Sequence, residues 1–261
     1  MFVAALTIGG CASIVQAQLL YEETFEPAGS ALADSGWTVE LFPAGGYSGT
    51  YSGTFEPDFD VLRNAANNQP INGNTGIFIG VGGPVTGELG GFFVTEGLGG
   101  FENIDPALCE RLILSIYANT QTGGADDFGY FAVRMGDFDP RTDDNAWYIA
   151  SSPMETPAQD GGIFMNLRRL VFDPSPGNWN ELALGPLTVG GPAGDLTGLQ
   201  ITGVGIVQSL TNPAPNEDFS NDAFSSWNYS DYRITCVPEP SAFLLFVLGG
   251  LASIAGRRRT N

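Results

Sequence analysis

The 261-residue chain carries 29 aspartates and glutamates against 10 arginines, with no lysine and no histidine. That roster closes most routes of catalysis. Without imidazole there is no Ser-His-Asp or Cys-His nucleophile and no histidine metal site. Without lysine there is neither a Schiff base nor the phosphate-binding lysine of a P-loop. What stays open is carboxylate work: two acids flanking a glycosidic bond, or oxygen ligands around calcium. No acid pair stands in a recognisable catalytic pattern, so the chain is not expected to be an enzyme. A glycosidase-type carbohydrate-active enzyme using a carboxylate pair is the alternative.

Calcium is the chemistry that the acidic clusters invite. Asp137, Asp139, Asp143, Asp144 and Asn145 place oxygen ligands at near-alternate positions. They depart from the EF-hand pattern, with Thr142 where glycine is required and Tyr148 in place of the closing glutamate. Asn216, Glu217, Asp218, Asn221 and Asp222 form a second cluster of the same kind. A hydrated loop is the default reading of each. Flat aromatic faces are the other chemical asset. Trp147, Tyr148 and Trp179 would stack on sugar rings if exposed, but strand alternation favours core positions for Trp147 and Trp179. Trp227 and Tyr229, in a Ser/Asn-rich approach to the last strand, are the expected exposed ligand-binding pair. The tandem repeat Tyr47-Ser48-Gly49-Thr50, Tyr51-Ser52-Gly53-Thr54 reads as an aromatic loop, adhesive or merely duplicated.

These side chains have to be carried by strands. Glycine and proline clusters at Gly45-Gly46, Gly82-Gly83-Pro84, Gly123-Gly124 and Gly190-Gly191-Pro192 cut the chain into short pieces. Between the cuts lie about eleven β-type segments, at 19–26, 37–42, 76–81, 92–95, 111–118, 128–135, 146–150, 163–172, 179–184, 201–208 and 229–235. Alternation is clearest at Phe131, Val133 and Met135, which would share one face. No internal window supports a long amphipathic helix. The fold class is therefore all-β, an antiparallel β-sandwich of the jelly-roll kind. A formal net charge of −19 excludes nucleic acid as a partner and disfavours anionic polysaccharide unless a divalent cation bridges the two. Cys109 and Cys236 are left as a pair once Cys11 departs with a leader, and in an oxidising compartment they would form one disulfide or remain two thiols.

Both ends read as addresses. Phe2 to Val15 is apolar, and Val15-Gln16-Ala17 suits signal peptidase, so residues 1–17 are expected to leave by cleavage between Ala17 and Gln18. The basic n-region is missing, so a natural start a few residues upstream is expected. Ile8-Gly9-Gly10-Cys11 offers a rival lipoprotein-type reading. At the other end Val237-Pro238-Glu239-Pro240 precedes 16 uncharged residues, Ser241 to Gly256, and then Arg257-Arg258-Arg259. The run is slightly short for a bilayer core of about 20 apolar residues, though flanking arginines extend it by snorkelling. Arginines at that end put the C-terminus in the cytoplasm and the body outside. A Pro-Glu-Pro motif, a short transmembrane helix (241–256) and a terminal arginine cluster resemble the PEP-CTERM sorting signal of Gram-negative bacteria. The resemblance implies exosortase as processing partner, transient attachment to the inner membrane, and delivery to the cell surface or an exopolysaccharide-containing extracellular matrix.

The body, residues 18–236, carries a second resemblance. Leu20-Tyr21-Glu22-Glu23-Thr24-Phe25-Glu26 followed by Gly36-Trp37 resembles the opening strands of carbohydrate-binding-module jelly rolls, and Ser230-Asp231-Tyr232-Arg233-Ile234 their closing strand. The resemblance implies that first and last strands meet, often around a structural calcium held partly by an acid from each. Glu23 or Glu26 and Asp231 would be its ligands; solvated strand-edge acids are the plainer reading. The domain reading is thus signal peptide 1–17, β-sandwich 18–236 and sorting signal 237–261, with a structural or adhesive, glycan-binding body.

Overall fold

A computed structural model describes residues 17–25, 36–42, 63–64, 77–83, 89–122, 128–136, 145–154, 164–185, 187–209 and 223–238. The leader to residue 16, Glu26, the repeat at 47–54, the acidic clusters at 137–144 and 216–222, and the tail from 239 lie outside these residues.

In order, the strands are β1 (Gln18–Glu23), β2 (Thr38–Phe42), β3 (Arg63–Asn64), β4 (Ile77–Gly83), β5 (Leu89–Thr95), β6 (Arg111–Thr122) and β7 (Phe128–Gly136). They continue as β8 (Ala146–Ala150), β9 (Phe164–Val171), β10 (Trp179–Ala183), β11 (Thr188–Pro192), β12 (Gln200–Ser209) and β13 (Ala223–Val237). Two sheets form. One has six strands in the order β1-β13-β6-β9-β3 with β4 also on β13; the other has seven, β11-β10-β8-β7-β12-β5-β2. Pairing is antiparallel except for the two-residue contact of β3 with β9. The architecture is an all-β sandwich.

Alternation explains why the sheets face each other. Phe131, Val133 and Met135 of β7 are all buried in one cluster with Leu112, Leu114 and Ile116 of β6, as a two-residue side-chain period requires. Packed ring-to-ring between the layers are Tyr21, Phe25, Trp37, Phe92, Tyr229 and Tyr232. On the outside of the seven-stranded sheet the same strands carry a second apolar cluster of Phe93, Ala132, Ile149, Leu182, Leu187 and Val207. Glycine makes room for it. A Cβ at Gly205, the β12 partner of Phe93, would collide with the Phe93 ring, and one at Gly91 would come within 2.8 Å of it.

Two strands escape the sequence reading. β3 is too short to show a pattern. β11 contains Gly190-Gly191-Pro192, which reads as a turn but pairs with β10 at the sheet edge, its residues exposed. An edge strand tolerates proline because one side of its backbone has no strand to bond. The first strand is also shorter than its pattern: Phe25 takes φ +58° and turns the chain after Glu23.

Candidate functional site

β13 is the strand around which the candidate site is built. Its first half, Ala223 to Tyr229, pairs on one edge with β4; its second half, Tyr232 to Cys236, pairs on that edge with β1. The changeover falls at Ser230–Asp231, where the ladder to β6 also slips, leaving an extra residue on β13. Such a bulge needs one residue with unusual dihedrals. Asp231 supplies it at φ +58°, a region that aspartate tolerates better than most side chains.

The bulge drives Asp231 into a buried position, 2% exposed, yet it is not alone there. Its Oδ2 lies 3.0 Å from Arg233 Nη2, and the same nitrogen lies 2.8 Å from Glu22 Oε1 of β1. Arg233 Nε donates a further bond of 2.8 Å to Glu22. Asp231 Oδ1 is buried without a hydrogen-bond partner. Burial pushes the Asp231 carboxyl up to about 6, with Arg233 pulling it down and Glu22 pushing it further up.

The acids that meet across the seam are therefore Glu22 and Asp231. The expected pairing of Glu23 with Asp231 is not what the strands deliver. Glu22 is in register with Arg233, whereas Glu23 is in register with Tyr232, whose ring is fully buried. Neighbours on a strand face opposite sides, so Glu23 turns toward the core layer. Its Oε1 accepts the Phe25 N–H at 2.7 Å, and burial raises its carboxyl above the ordinary range. Glu26 lies outside the described residues. Alternation with buried Tyr21 was the signal in the sequence that Glu22, not Glu23, faces outward. Among the described residues no group of three or more acids or cysteines could hold a metal. Calcium takes six to eight oxygens, and here a guanidinium already occupies the place between the two carboxylates. With Arg233 in place, the described residues leave no room for a calcium between Glu22 and Asp231. Asn145, the one described member of the 137–145 cluster, spends its Oδ1 on the Thr202 hydroxyl at 3.1 Å.

A pH dependence follows from Asp231. Its folded value, about 6, stands above the ordinary 3.8, so the folded state binds the proton more tightly than the unfolded chain. The resulting stabilisation is fully present below the unfolded value and is lost as pH rises through about 6. The shift corresponds to about 3 kcal/mol in full. Wild type is expected to lose stability between pH 4 and pH 7, and Asp231→Asn, which keeps the backbone preference, to lose markedly less. Urea titrations of both proteins across that range check this; identical slopes would show that Asp231 is not the group responsible.

At the far end of β13 the chain leaves the sandwich. Cys236 is disulfide-bonded to Cys109, with Cα atoms 5.3 Å apart. Glu110 N–H bonds Val237 O at 2.8 Å, so the exit is pinned by backbone as well as sulfur. Gln18, the first residue of β1, is in register with Cys236, which brings the expected leader junction, Ala17–Gln18, beside the exit. An open cleft of about 400 Å³ lies here, lined by Gln18, Leu20, Glu102, Asp105, Leu108 and Pro238 among others. Of the sorting residues, Val237 and Pro238 are described; Glu239, Pro240 and Arg257 to Arg259 are not. Among the described residues no helix is long and apolar enough to cross a membrane, and the predicted helix 241–256 lies outside them.

The aromatics divide differently from expectation. Tyr229 is fully buried between the sheets, its hydroxyl 3.3 Å from Gln208 Oε1. It belongs to the core, because β13 is a central strand and position 229 points inward. Trp227 lies in β13 in register with Ile79 and Thr120; its side chain is not among those described. Trp179 is core, with its Nε1 donating to Asp173 O at 2.8 Å. Trp147 is not on the inward face. It alternates with inward Tyr148 and sits half-buried on the outer cluster, edge-on to Phe93 at 4.8 Å.

No curated protein matches the chain. Among solved structures it is similar to a CBM22 xylan-binding domain from Paenibacillus barcinonensis, at 13% identity and TM-score 0.40, over 85% of this chain and 97% of that one. A cellulose-induced protein gives 14% identity and TM-score 0.39 over 82% and 96%. A non-specific endo-β-1,3(4)-glucanase of family GH16 gives 10% and 0.39 over 85% and 91%. Likeness at this level carries no binding or catalytic property across. The tail is another matter: the profile of the PEP-CTERM protein-sorting motif matches residues 237–259. The chain carries a PEP-CTERM protein-sorting motif whose first residue, Val237, is the last residue of the sandwich's final strand.

Proposed function

We propose that this chain is an exported protein, tethered through its tail to the inner membrane, processed there by an exosortase, and left at the cell surface or in the extracellular matrix. There its jelly-roll body serves a structural or adhesive role, holding exopolysaccharide. One observation carries the reading: the sorting motif begins at Val237, where β13 ends. A cut in or after the motif therefore releases a sandwich with every described strand intact. The disulfide at Cys236 closes the body one residue earlier. Half-buried Trp147 on the outer sheet face supports the adhesive part, since tryptophan, with an apolar body and a polar N–H, is enriched at interfaces. No catalytic role is proposed. The Glu22–Asp231 pair is spanned by Arg233 instead of facing across an open groove.

The test is replacement of Pro238, Glu239 and Pro240 by alanine in a host that possesses the processing enzyme. Wild type is expected outside the cell at a mass lacking the tail. The variant is expected to accumulate uncut in the inner-membrane fraction. Fractionation with intact-mass measurement decides it, and a variant that matures like wild type ends the sorting reading. Release of reducing sugar from host polysaccharide by the matured protein would favour the carboxylate enzyme instead.

A further inference from the structure

The seam between first and last strands is held by a cation that belongs to the chain. Closing a sandwich here brings two carboxylates together, Glu22 from β1 and Asp231 from β13, at a place where Asp231 is buried. Two like charges at such range repel, and one of them is out of water, so the arrangement is costly unless a positive group sits between them. A divalent metal is one solution. Arg233 is the other. From the same strand as Asp231 and directly opposite Glu22, its guanidinium reaches both acids at 2.8 and 3.0 Å through one nitrogen and returns to Glu22 through a second. A planar, permanently charged fork suits that geometry.

We propose that Arg233 is a built-in substitute for a bridging metal ion, so that β1 closes onto β13 without calcium. Two further observations agree. Glu23, the neighbouring acid, is turned to the opposite face and bonded to the Phe25 N–H. The side chains of the pair are about one-third exposed at Arg233 and Glu22 (31% and 33%) and nearly closed at Asp231 (2%), so the guanidinium caps the buried acid from the solvent side.

The proposal separates wild type from one variant in their response to a metal. With the full chain in detergent at neutral pH, the melting temperature of wild type is expected to be the same in EGTA and in millimolar calcium chloride. Arg233→Gln leaves Glu22 and Asp231 facing each other without a cation. It is expected to melt several degrees lower in EGTA and to recover in calcium chloride, as any ligand that binds only the folded state raises its stability. Arg233→Lys keeps the charge and loses the fork; it is expected to melt between the two and to stay insensitive to calcium. Arg169→Gln, on exposed β9 surface, controls for the loss of one positive charge. A wild-type melting temperature that falls in EGTA overturns the proposal. So does an Arg233→Gln protein that melts like the Arg169→Gln control, or one that is weakened but gains nothing from calcium. If Arg233→Gln does not fold in EGTA, folding restored by calcium supports the proposal, and no restoration overturns it. None of these readouts depends on the sorting tail, so they stand or fall apart from the proposed function.

Discussion

Trp37→Ala is expected to lower the melting temperature by roughly 10 °C or more. The indole is 1% exposed and packs against three rings: Phe25 at 5.6 Å, Phe92 at 5.2 Å and Tyr232 at 5.5 Å. Those partners come from the segment after β1, from β5 and from β13, so Trp37 joins the seam of one sheet to β5 of the other. Removing a buried tryptophan costs about 3–5 kcal/mol in transfer and cavity terms. Here the Tyr21 hydroxyl also loses its donor, since Trp37 Nε1 lies 3.2 Å from it in a buried site, and an orphaned buried polar group adds about 1–3 kcal/mol. Phe25 is a further reason to expect a large response. It holds φ +58°, unfavourable for a bulky residue, and its ring leans on Trp37. Against a total stability of about 5–15 kcal/mol, and with about 2–4 °C per kcal/mol at this size, the sandwich would be near its limit at growth temperature. Calorimetry of wild type and variant checks the figure. A shift of only a degree or two would mean that Trp37 is not at the centre of the packing.

Loss of the disulfide is expected to come second. Cys109 and Cys236 enclose a loop of 127 residues, and the chain-entropy account gives about 5 kcal/mol for a loop of that order. Measured losses for native disulfides are about 2–5 kcal/mol. The site of the bond gives the effect a direction. Cys236 is the penultimate residue of β13, and β13 is the only described strand bonded to β1, β4 and β6 together. Without the bond, fraying that starts where the tail departs would run straight into the central strand of the six-stranded sheet. Cys109→Ser with Cys236→Ser, or reduction of wild type, should therefore lower the melting temperature by roughly 5–15 °C. Amide exchange at Thr235 and Val237 should rise before exchange at Val133. Equal melting of oxidised and reduced protein would show that the Glu110 bond and the β13 ladders to β1 and β6 hold the exit without the disulfide.

Much of this was legible along the chain. Phe131, Val133 and Met135 alternate, and alternation on a strand admits only one face for all of them. Each strand expected from a β-type run has a counterpart in the structure, although Gly82-Gly83 pairs at the end of β4 and Gly90-Gly91 pairs inside β5 instead of ending a ladder. β11 was hidden because its Gly-Gly-Pro looks like a stop, and only its position at the sheet edge lets it remain a strand. The candidate site was half legible. Asp231 was visible as an acid on the closing strand, but its partner was not, since a partner is decided by register. Shifting β1 by one residue against β13 would exchange Glu22 for Glu23; alternation with buried Tyr21 opposes that slip, but which residue of β13 lies opposite Glu22 is decided only by the pairing.

The sorting motif belongs wholly to the sequence. A run of apolar residues between Pro-Glu-Pro and three arginines is a linear pattern, legible whatever fold precedes it. Composition likewise settled the absence of imidazole and lysine chemistry. The tertiary structure decided what long-range pairing alone can decide: that Tyr229 is core and Trp147 lies on the outer face, that Cys109 and Cys236 meet at the chain's exit, and that Arg233 stands between Glu22 and Asp231. Each of these depends on residues far apart in the chain, brought together by strand register and by one bulge at Asp231. A pattern of period two specifies faces, but it is silent about which strand lies opposite.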